Sequence, residues 1–201
     1  DEGIGTVAAD SSGNGNNGTL VNGPAWTAGK VGSWALDFDD TNDYISTSMT
    51  TNLDSGMTIV GWIKPSSITG SIFANGRSTD TGWWNFMWVF SNRIQFWKDG
   101  STDMIARSSP VFSTGSWQHF AMTWTGGATA ATDVIFYRNG AVVTHDLNTN
   151  GVGLVVDSGT YKYIGAQTTP TGYFPGIMDD IRIYNRVLLV NEIKQLYDMG
   201  R

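Results

Sequence analysis

Short segments in which apolar and polar residues alternate recur along most of the chain. Each is rich in Val, Ile, Phe, Tyr, Trp or Thr, and turn-forming residues lie between them. A two-residue period is typical of strands with one buried face, and regular turn signals between short strands favour an antiparallel sandwich. The segments are 58–65, 84–90, 93–100, 117–124, 134–140 and 177–184. The pattern therefore predicts an all-β fold of packed sheets.

Two of these segments end in sequences that favour tight hairpins. Lys98 is followed by Asp99 and Gly100, and Arg138 is followed by an Asn-Gly pair that ends at Gly140. A two-residue hairpin turn needs positive φ, which glycine adopts without strain. We therefore expect a tight hairpin at each place, with Gly100 and Gly140 at positive φ.

Helical spacing occurs only near the end of the chain. Val190, Ile193, Leu196 and Tyr197 are spaced as on one face of a helix, and Gly200 follows as a C-terminal cap. No internal repeat or Pro/Gly-rich linker divides the sequence. We expect a single domain over residues 1–201 that includes one short C-terminal helix.

The composition excludes several classes of partner and site. The net charge is -6 with only 12 Lys and Arg, whereas a protein that neutralises nucleic-acid phosphates needs clustered cations. The absence of Cys excludes disulfides, thiolate zinc sites and a cysteine nucleophile. No run of 18 apolar residues occurs. We therefore expect neither nucleic-acid binding nor membrane insertion.

Several segments, in this order and spacing, resemble the laminin G-like domains of the concanavalin A-like lectin and glucanase superfamily. They are residues 10–26, 32–46, 58–65, 115–126, 134–140, 163–167 and 176–197. The resemblance implies a two-sheet antiparallel jelly-roll sandwich, a structural calcium ion and a role as a binding module. It also implies an extracellular or cell-surface location, attached to a larger multidomain protein.

The segment 177–184 places a carboxylate among apolar residues. Strict alternation puts Asp179 on the same face as the isoleucines at positions 177, 181 and 183. A carboxylate in such surroundings is unfavourable unless it is paired, hydrogen-bonded or bound to a metal. Asp179 is therefore expected to have a partner.

A glycine-containing loop near the N-terminus offers oxygen donors at alternating positions: Asp10, Ser12, Asn14 and Asn16. Hard oxygen donors of this kind suit calcium. The resemblance adds that similar domains hold calcium between an aspartate of the last strand and the N-terminal region, which here match Asp179 and the Asp10 loop. We therefore expect a calcium site formed by Asp10, Asn14, Asn16 and Asp179. In the alternative, the loop only makes turns and Asp179 accepts backbone hydrogen bonds.

Catalysis is not expected from the residues present. Glycoside hydrolysis needs two carboxylates at a defined separation, and the chain has only two glutamates, Glu2 and Glu192, in segments that do not match a glucanase signature. No G-x-S-x-G motif occurs. His119 and His145 have no neighbour in sequence that indicates a zinc pair, and we expect both to be structural.

Nine tryptophans in 201 residues is a high content, and several fall on neighbouring strands between 83 and 97. Aromatic faces stack on sugar rings, and Asn, Gln, Arg and Tyr side chains bind hydroxyl groups. We therefore predict a non-catalytic, carbohydrate-binding module for a polysaccharide or glycan. The alternatives are a structural or adhesive module of a surface or virion protein, and a polysaccharide lyase or hydrolase with an atypical site. The candidate contacts are Arg77, Trp83, Trp84, Gln95, Trp97 and Tyr173.

Overall fold

Two antiparallel sheets pack face to face in a jelly-roll sandwich, which confirms the fold expected from the alternating segments. The structure is a computed structural model that describes residues 2–67, 69–76, 84–89, 92–127, 129–154, 156, 162–167 and 172–201. Strands are numbered along the chain. No helix in these ranges is long and apolar enough to cross a membrane.

The larger sheet has nine strands in the described part of the chain. From edge to edge they are β1 (Val7–Ala8), β2 (Gly18–Val21), β5 (Tyr44–Thr47), β15 (Lys162–Ile164), β7 (Gly70–Asn75), β8 (Trp84–Val89), β9 (Arg93–Lys98), β10 (Met104–Ser108) and β14 (His145–Thr149). The order places β15, from late in the chain, between two early strands. Every pair in this sheet is antiparallel.

The smaller sheet has seven strands in the same described ranges. From edge to edge they are β13 (Ala141–Val143), β12 (Val134–Arg138), β11 (Gln118–Trp124), β6 (Met57–Pro65), β16 (Pro175–Tyr184), β4 (Trp34–Asp39) and β3 (Ala25–Ala28). A short 3₁₀ turn, Ala131–Asp133, precedes β12.

Aromatic residues from both sheets form the core between them. The ring of Phe86 on β8 lies 5.6 Å from Phe120 and 6.3 Å from Phe136, both on the smaller sheet. Phe96 on β9 lies 5.7 Å from Trp124 on β11. These side chains are almost fully buried, and each buried aromatic ring contributes roughly 2–3 kcal/mol through the hydrophobic effect.

One of the two hairpin predictions is confirmed and the other is wrong. Asn139 and Gly140 have φ of 51° and 77° between paired Arg138 and Ala141, which is the conformation of a two-residue turn with both φ values positive. The connection from β9 to β10 instead has five residues, and Gly100 does not have a positive φ. A Cβ at Gly100 would lie 2.8 Å from the carbonyl oxygen of Val152, so close backbone packing explains this glycine.

The expectation that Asp179 shares a face with all three isoleucines is wrong, because β16 contains a bulge. The register with β6 shifts between Asp179 and Arg182, and Asp180 in the bulge has a φ of 48°. Ile181 and Ile183 consequently pack against the sandwich core, whereas Asp179 is paired with Trp62. Trp62 belongs to the opposite, outer face of the smaller sheet, where it contacts the C-terminal helix.

The predicted helix is confirmed as α1 (Val190–Met199), with Gly200 at its C-terminal cap. The N–H of Leu189 donates to Glu192 at 2.7 Å, which satisfies one donor at the helix start. The helix packs Ile193 into a second small cluster on the outer face of the smaller sheet. Arg186 also donates to both carboxylate oxygens of Glu192.

The helix covers His119, which the sequence analysis expected to be structural. The imidazole is 1% exposed and lies 5.3 Å from Trp62 and 5.7 Å from Tyr197 (ring centroids), and its Nδ1 has no hydrogen-bond partner among the described residues. Burial, together with the positive charge of Arg182, lowers the pKa of His119 to about 4. The neutral form is therefore the one that fits under the helix.

We expect stability to fall as pH falls from about 6.5 to about 4, because the unfolded chain binds a proton at His119 in this range and the folded chain does not. The contribution of this residue is about 3 kcal/mol at most. It is fully present above pH 6.5 and is lost on approaching pH 4. Urea denaturation at several pH values measures it.

His119→Phe keeps a ring between Trp62 and Tyr197 and should flatten the slope of unfolding free energy against pH in this window. Val142→Ala is the matched control, because it changes an exposed apolar residue of β13 and removes no titratable group, so it should leave the slope unchanged. An identical slope in wild type and His119→Phe would contradict the assignment.

Candidate functional site

The outer face of the larger sheet, which points away from the smaller sheet, carries a continuous row of cross-strand neighbours. Residues that alternate with this row, such as Phe73 and Phe96, are buried in the core, and this places the row on the outer face. Adjacent strands are about 4.8 Å apart, so the row crosses roughly 14 Å between β15 and β9. The outer row consists of Ser46, Tyr163, Ala74, Trp97 and Ile105, and the register joins Ala74 to Trp97 through position 85 of β8. Ala74 itself is fully buried.

Three half-buried tyrosines gather around one end of this row. The rings of Tyr44 and Tyr163 are 5.4 Å apart and nearly perpendicular, an edge-to-face contact. Burial, and to a smaller extent the charge of Tyr44, raise the pKa of Tyr173 above its usual range. The N–H of Ser71 donates to the carbonyl oxygen of Gly172 at 2.8 Å and fixes the segment that carries Tyr173 against β7. We call Tyr44, Tyr163 and Tyr173 the tyrosine cluster.

Charged and polar side chains gather around the other end of the row. Arg93, Gln95 and Trp97 alternate along β9 on the outer face, and Arg107 on β10 is directly opposite Gln95. Asp146 on β14 accepts hydrogen bonds from Nε of Arg93 and from Nε of Arg107, the latter at 2.9 Å. We call these five residues the arginine patch.

The carboxylate of Asp146 is held in its ionised form. Burial acts to raise its pKa, but the hydrogen bonds and charges of Arg107 and Arg93 outweigh burial and lower the pKa below the usual range. The side chains of Arg93 and Arg107 are only 20% and 22% exposed. The ion pairs are therefore partly shielded from solvent and keep the guanidinium groups in place.

The structure brings some of the predicted binding residues together. Gln95 and Trp97 are neighbours in the arginine patch, and Tyr173 belongs to the tyrosine cluster on the same face. Trp84 stands opposite Asn75 and Lys98 in the register, one position away from the outer row. Arg77 and Trp83 lie outside the described residues.

The sequence analysis did not select Tyr44, Tyr163, Arg93 or Arg107 as binding residues. Tyr163 is in the three-residue strand β15, which is too short to show a period. Tyr44 meets it only because β15 pairs with β5. Arg107 lies opposite Gln95 because of the register between β9 and β10, which the sequence does not reveal. The one local signal was the alternation of Arg93 with Gln95 and Trp97 along one strand.

The predicted metal loop is a tightly hydrogen-bonded turn. One carboxylate oxygen of Asp10 accepts from the N–H of Ser12 at 2.9 Å, and the other accepts from Ser12 Oγ and from the N–H of Asn16, both at 2.8 Å. These hydrogen bonds lower the pKa of Asp10. Ser48 Oγ donates to the carbonyl oxygen of Gly15 and joins the loop to the end of β5.

Asp179 accepts backbone hydrogen bonds from the loop between β3 and β4. Its Oδ2 atom accepts from the N–H of Lys30 at 2.5 Å and from the N–H of Val31 at 2.8 Å, and the residue is 7% exposed. These two bonds match the alternative stated in the sequence analysis, in which Asp179 accepts backbone hydrogen bonds. They stabilise its charge among buried neighbours.

Asp10, Asn14, Asn16 and Asp179 all line one cleft of about 820 Å³. The pairing of β16 with β4 ends at Met178, and beyond this point residues 34–36 and 178–185 line the walls of the cleft. No group of three or more His, Asp or Glu residues close enough to hold a metal ion occurs within the described ranges. A cation in the cleft would therefore depend on amide and backbone oxygens as well as carboxylates.

Comparisons with known proteins agree with this fold. The model of the concanavalin A-like lectin/glucanases superfamily matches residues 39–194. The comparison with curated proteins gives no match. Domain 4 of an extracellular GH43 arabinanase from Geobacillus stearothermophilus, solved with arabinotriose, is similar with a TM-score of 0.73 and 20% identity, over 96% of this chain and 92% of that one.

Two further solved structures show the same fold in other settings. The CBM40 of Ruminococcus gnavus IT-sialidase has a TM-score of 0.58 and 12% identity, over 72% of this chain and 84% of that one. The binding domain of Paraclostridial Mosquitocidal Protein 1 has a TM-score of 0.70 and 16% identity, and this chain covers 48% of it with 94% of its own length. At these identities the similarity shows the fold alone.

Replacing Asp179 with Ala should lower the free energy of unfolding by about 2–4 kcal/mol, because it removes the acceptor of two backbone N–H groups in a shielded position. Asp179→Asn, which keeps one acceptor oxygen, should lose less. Denaturation in the presence of EDTA measures what the two hydrogen bonds contribute to the free energy of unfolding, without any contribution from a bound metal.

Asp37→Ala is the matched control. Asp37 is exposed on the neighbouring strand β4, so its removal should change stability by about 0.5 kcal/mol or less. Equal stability of Asp179→Ala and Asp37→Ala would show that the two hydrogen bonds contribute nothing.

Proposed function

Because the chain belongs to the concanavalin A-like lectin/glucanases superfamily, we propose that it is a non-catalytic module that binds carbohydrate on the outer face of its larger sheet. The observation that supports this most directly is the outer row, which joins the tyrosine cluster to the arginine patch across the strands. A polysaccharide lying across the strands would contact both ends.

The side chains of this face suit a sugar ligand. The rings of Tyr44, Tyr163, Tyr173 and Trp97 offer apolar surface for the C–H faces of sugar rings, together with hydroxyl and N–H groups. Gln95 carries donor and acceptor groups of the kinds that bind sugar hydroxyls. Tyr and Trp side chains have few rotatable bonds, so little conformational entropy is lost on binding.

The placement of carboxylates supports binding without catalysis. A glycosidase general acid needs a raised pKa, whereas Asp146, the carboxylate of the arginine patch, has a lowered one. Glu192 lies in α1, on the other side of the molecule, and Arg186 and the Leu189 N–H lower its pKa to about 2. Neither group has the properties of a proton donor near neutral pH.

The structural relatives support the same class of function. One is a domain solved in complex with arabinotriose, and another is a carbohydrate-binding module of a sialidase. The first is a domain of an extracellular enzyme. We accordingly propose an extracellular or cell-surface location, as one module of a larger protein.

A structural calcium ion is the second part of the proposal. Asp10, Asn14, Asn16 and Asp179 line one cleft and are hard oxygen donors, which fits calcium chemistry. Asp10 and Asp179 already accept hydrogen bonds, so part of their capacity to bind a cation is in use. The amide oxygens of Asn14 and Asn16 would therefore supply further ligands to the ion. Bound calcium would supply positive charge that holds the N-terminal loop against β16.

Binding of a glycan should depend on the aromatic residues at the two ends of the outer row. We expect wild type to bind members of a neutral and acidic glycan array, and a Tyr163→Ala, Trp97→Ala double variant to bind at least about tenfold more weakly. The loss follows from removing both stacking surfaces. Array binding followed by calorimetry on the best ligand measures it.

Trp34→Ala is the matched control, since Trp34 is an exposed aromatic residue on β4 of the smaller sheet and should not affect binding. Unchanged affinity in the double variant would place the site elsewhere. Absence of binding by folded wild type to every glycan would reject the carbohydrate function and favour a protein partner.

Calcium should raise the melting temperature of wild type and EGTA should lower it. At a calcium concentration of about 100 times the Kd, the gain is about 2.7 kcal/mol. Asp10→Ala should abolish the difference between the two conditions, whatever its effect on stability itself, whereas Asp37→Ala should keep it. Equal melting of wild type in calcium and in EGTA would reject the metal site.

A further inference from the structure

The cleft that holds the Asp10 loop continues between the two sheets. On the smaller sheet its lining includes Leu36 and Met178, which are neighbours on β4 and β16. On the larger sheet it includes Ile45 and Ile164, which are neighbours on β5 and β15. All four side chains belong to the core between the sheets or pack against it. The cleft has a volume of about 820 Å³, which lies within the range of roughly 300–1,000 Å³ found for small-ligand pockets.

The part of the core that is open to solvent is concentrated in this cleft. Among the described residues, seven half-buried apolar side chains pack against the main core, and five of these line the cleft. By contrast, core residues such as Phe86 and Phe120 have no exposed surface. Apolar walls that remain partly open gain free energy when a hydrocarbon ligand covers them. The five residues are Ala8, Trp26, Ile164, Ile181 and Ile183.

Two carboxylates in the same cleft are hydrogen-bonded to neutral groups. Asp10 accepts three hydrogen bonds within its own loop, and these bonds lower its pKa. Asp179 accepts two backbone N–H groups at Oδ2, and no described residue donates to its Oδ1 atom. Neither carboxylate forms an ion pair with a described residue. Both therefore leave a negative charge in the cleft.

This combination of charge and apolar surface selects one kind of ligand. A negative charge beside low-dielectric walls attracts a cation more strongly than the same charge on an open surface does. Asp179 is only 7% exposed, and a carboxylate oxygen that is shielded from water and lacks a donor is unfavourable. A cationic head group would supply the missing partner, whereas an anionic head group would be repelled. A hydrocarbon chain with a positive head group therefore matches both parts of the cleft.

We propose that the cleft binds a single-chain amphiphile with a cationic head group, which places its hydrocarbon chain between the sheets and its head group at Asp10 and Asp179. The inference does not depend on the proposed carbohydrate function. Ile45 and Ile164 are on the inner face of the larger sheet, whereas the outer row is on its other face.

The probe is dodecyltrimethylammonium below its critical micelle concentration, measured by calorimetry at low salt in EGTA. EGTA removes calcium, which would compete for the same carboxylates, so the result is independent of the calcium proposal. We expect one molecule to bind per chain, at least about tenfold more tightly than neutral dodecyl maltoside. Each methylene group removed from the buried chain should weaken binding about fourfold. Dodecanoate should bind more weakly than dodecyl maltoside.

Ala8→Phe should block the cleft, because Ala8 lines it and is half-buried on the edge strand β1. The affinity for dodecyltrimethylammonium should fall by about tenfold or more, since the ring occupies space that the chain needs. Val7→Phe is the matched control. Val7 is the neighbouring residue of β1, is 46% exposed and is absent from the lining of the cleft, so its substitution should leave the affinity unchanged.

Asp179→Asn tests the head group. It keeps one acceptor oxygen for the two backbone N–H groups and removes the charge. It should reduce the preference for dodecyltrimethylammonium over dodecyl maltoside by about threefold or more, with the affinity for the maltoside close to that of wild type. Asp37→Asn changes an exposed carboxylate of β4 outside the lining and should keep the preference.

The outcomes that would overturn this inference leave the glycan-array result unaffected. Absence of saturable dodecyltrimethylammonium binding would reject the ligand site. Equal affinity for all three head groups would reject the assignment of a cationic head. Binding only above the critical micelle concentration would indicate an assembled surface in place of one chain, and an equal loss in Ala8→Phe and Val7→Phe would reject the cleft as the location.

Discussion

The contact of Phe86 with Phe120 and Phe136 fixes which residues of the larger sheet face outward. Because strand side chains alternate, a slip of one residue in β8 would exchange its inner and outer residues. The pairing of β8 with β7 and β9 then carries the same alternation to Tyr163 on one side and Trp97 on the other. The candidate binding face is thus a consequence of core packing, since the same registry that buries Phe96 presents Trp97.

The bulge at Asp180 has the corresponding effect on the smaller sheet. A positive φ at a non-glycine residue is unfavourable, but it allows one strand to pack Ile181 and Ile183 into the core while Asp179 faces Trp62 and the loop at Lys30. The loss of pairing with β4 beyond Met178 leaves the walls of the cleft apart. Because of the one extra residue in the bulge, β16 contributes Ile181 and Ile183 to the core and also contributes Asp179, an oxygen donor, to the lining of the cleft.

The parts of the fold that depend on local sequence could be predicted, and the parts that depend on strand order could not. The two-residue period identified the long strands, and Asn139-Gly140 identified its turn because both residues adopt positive φ readily. Gly100 was misread because its small size serves close packing against Val152. Asp179 was misplaced because strict alternation does not account for a bulge. Tyr44 and Tyr163 are 119 positions apart, and only the insertion of β15 beside β5 brings them together.

Asp146 holds two arginines together on the outer face of the larger sheet. Two arginines on one half-buried sheet face would repel each other without a shared counter-charge, and the carboxylate between them makes their proximity favourable. Each arginine donates to a different oxygen of this carboxylate, so one side chain fixes the position of both. A neutral amide at position 146 has a single acceptor oxygen, so it could hold only one of the two arginines in this way. The order of this end of the outer face therefore depends on a carboxylate at position 146.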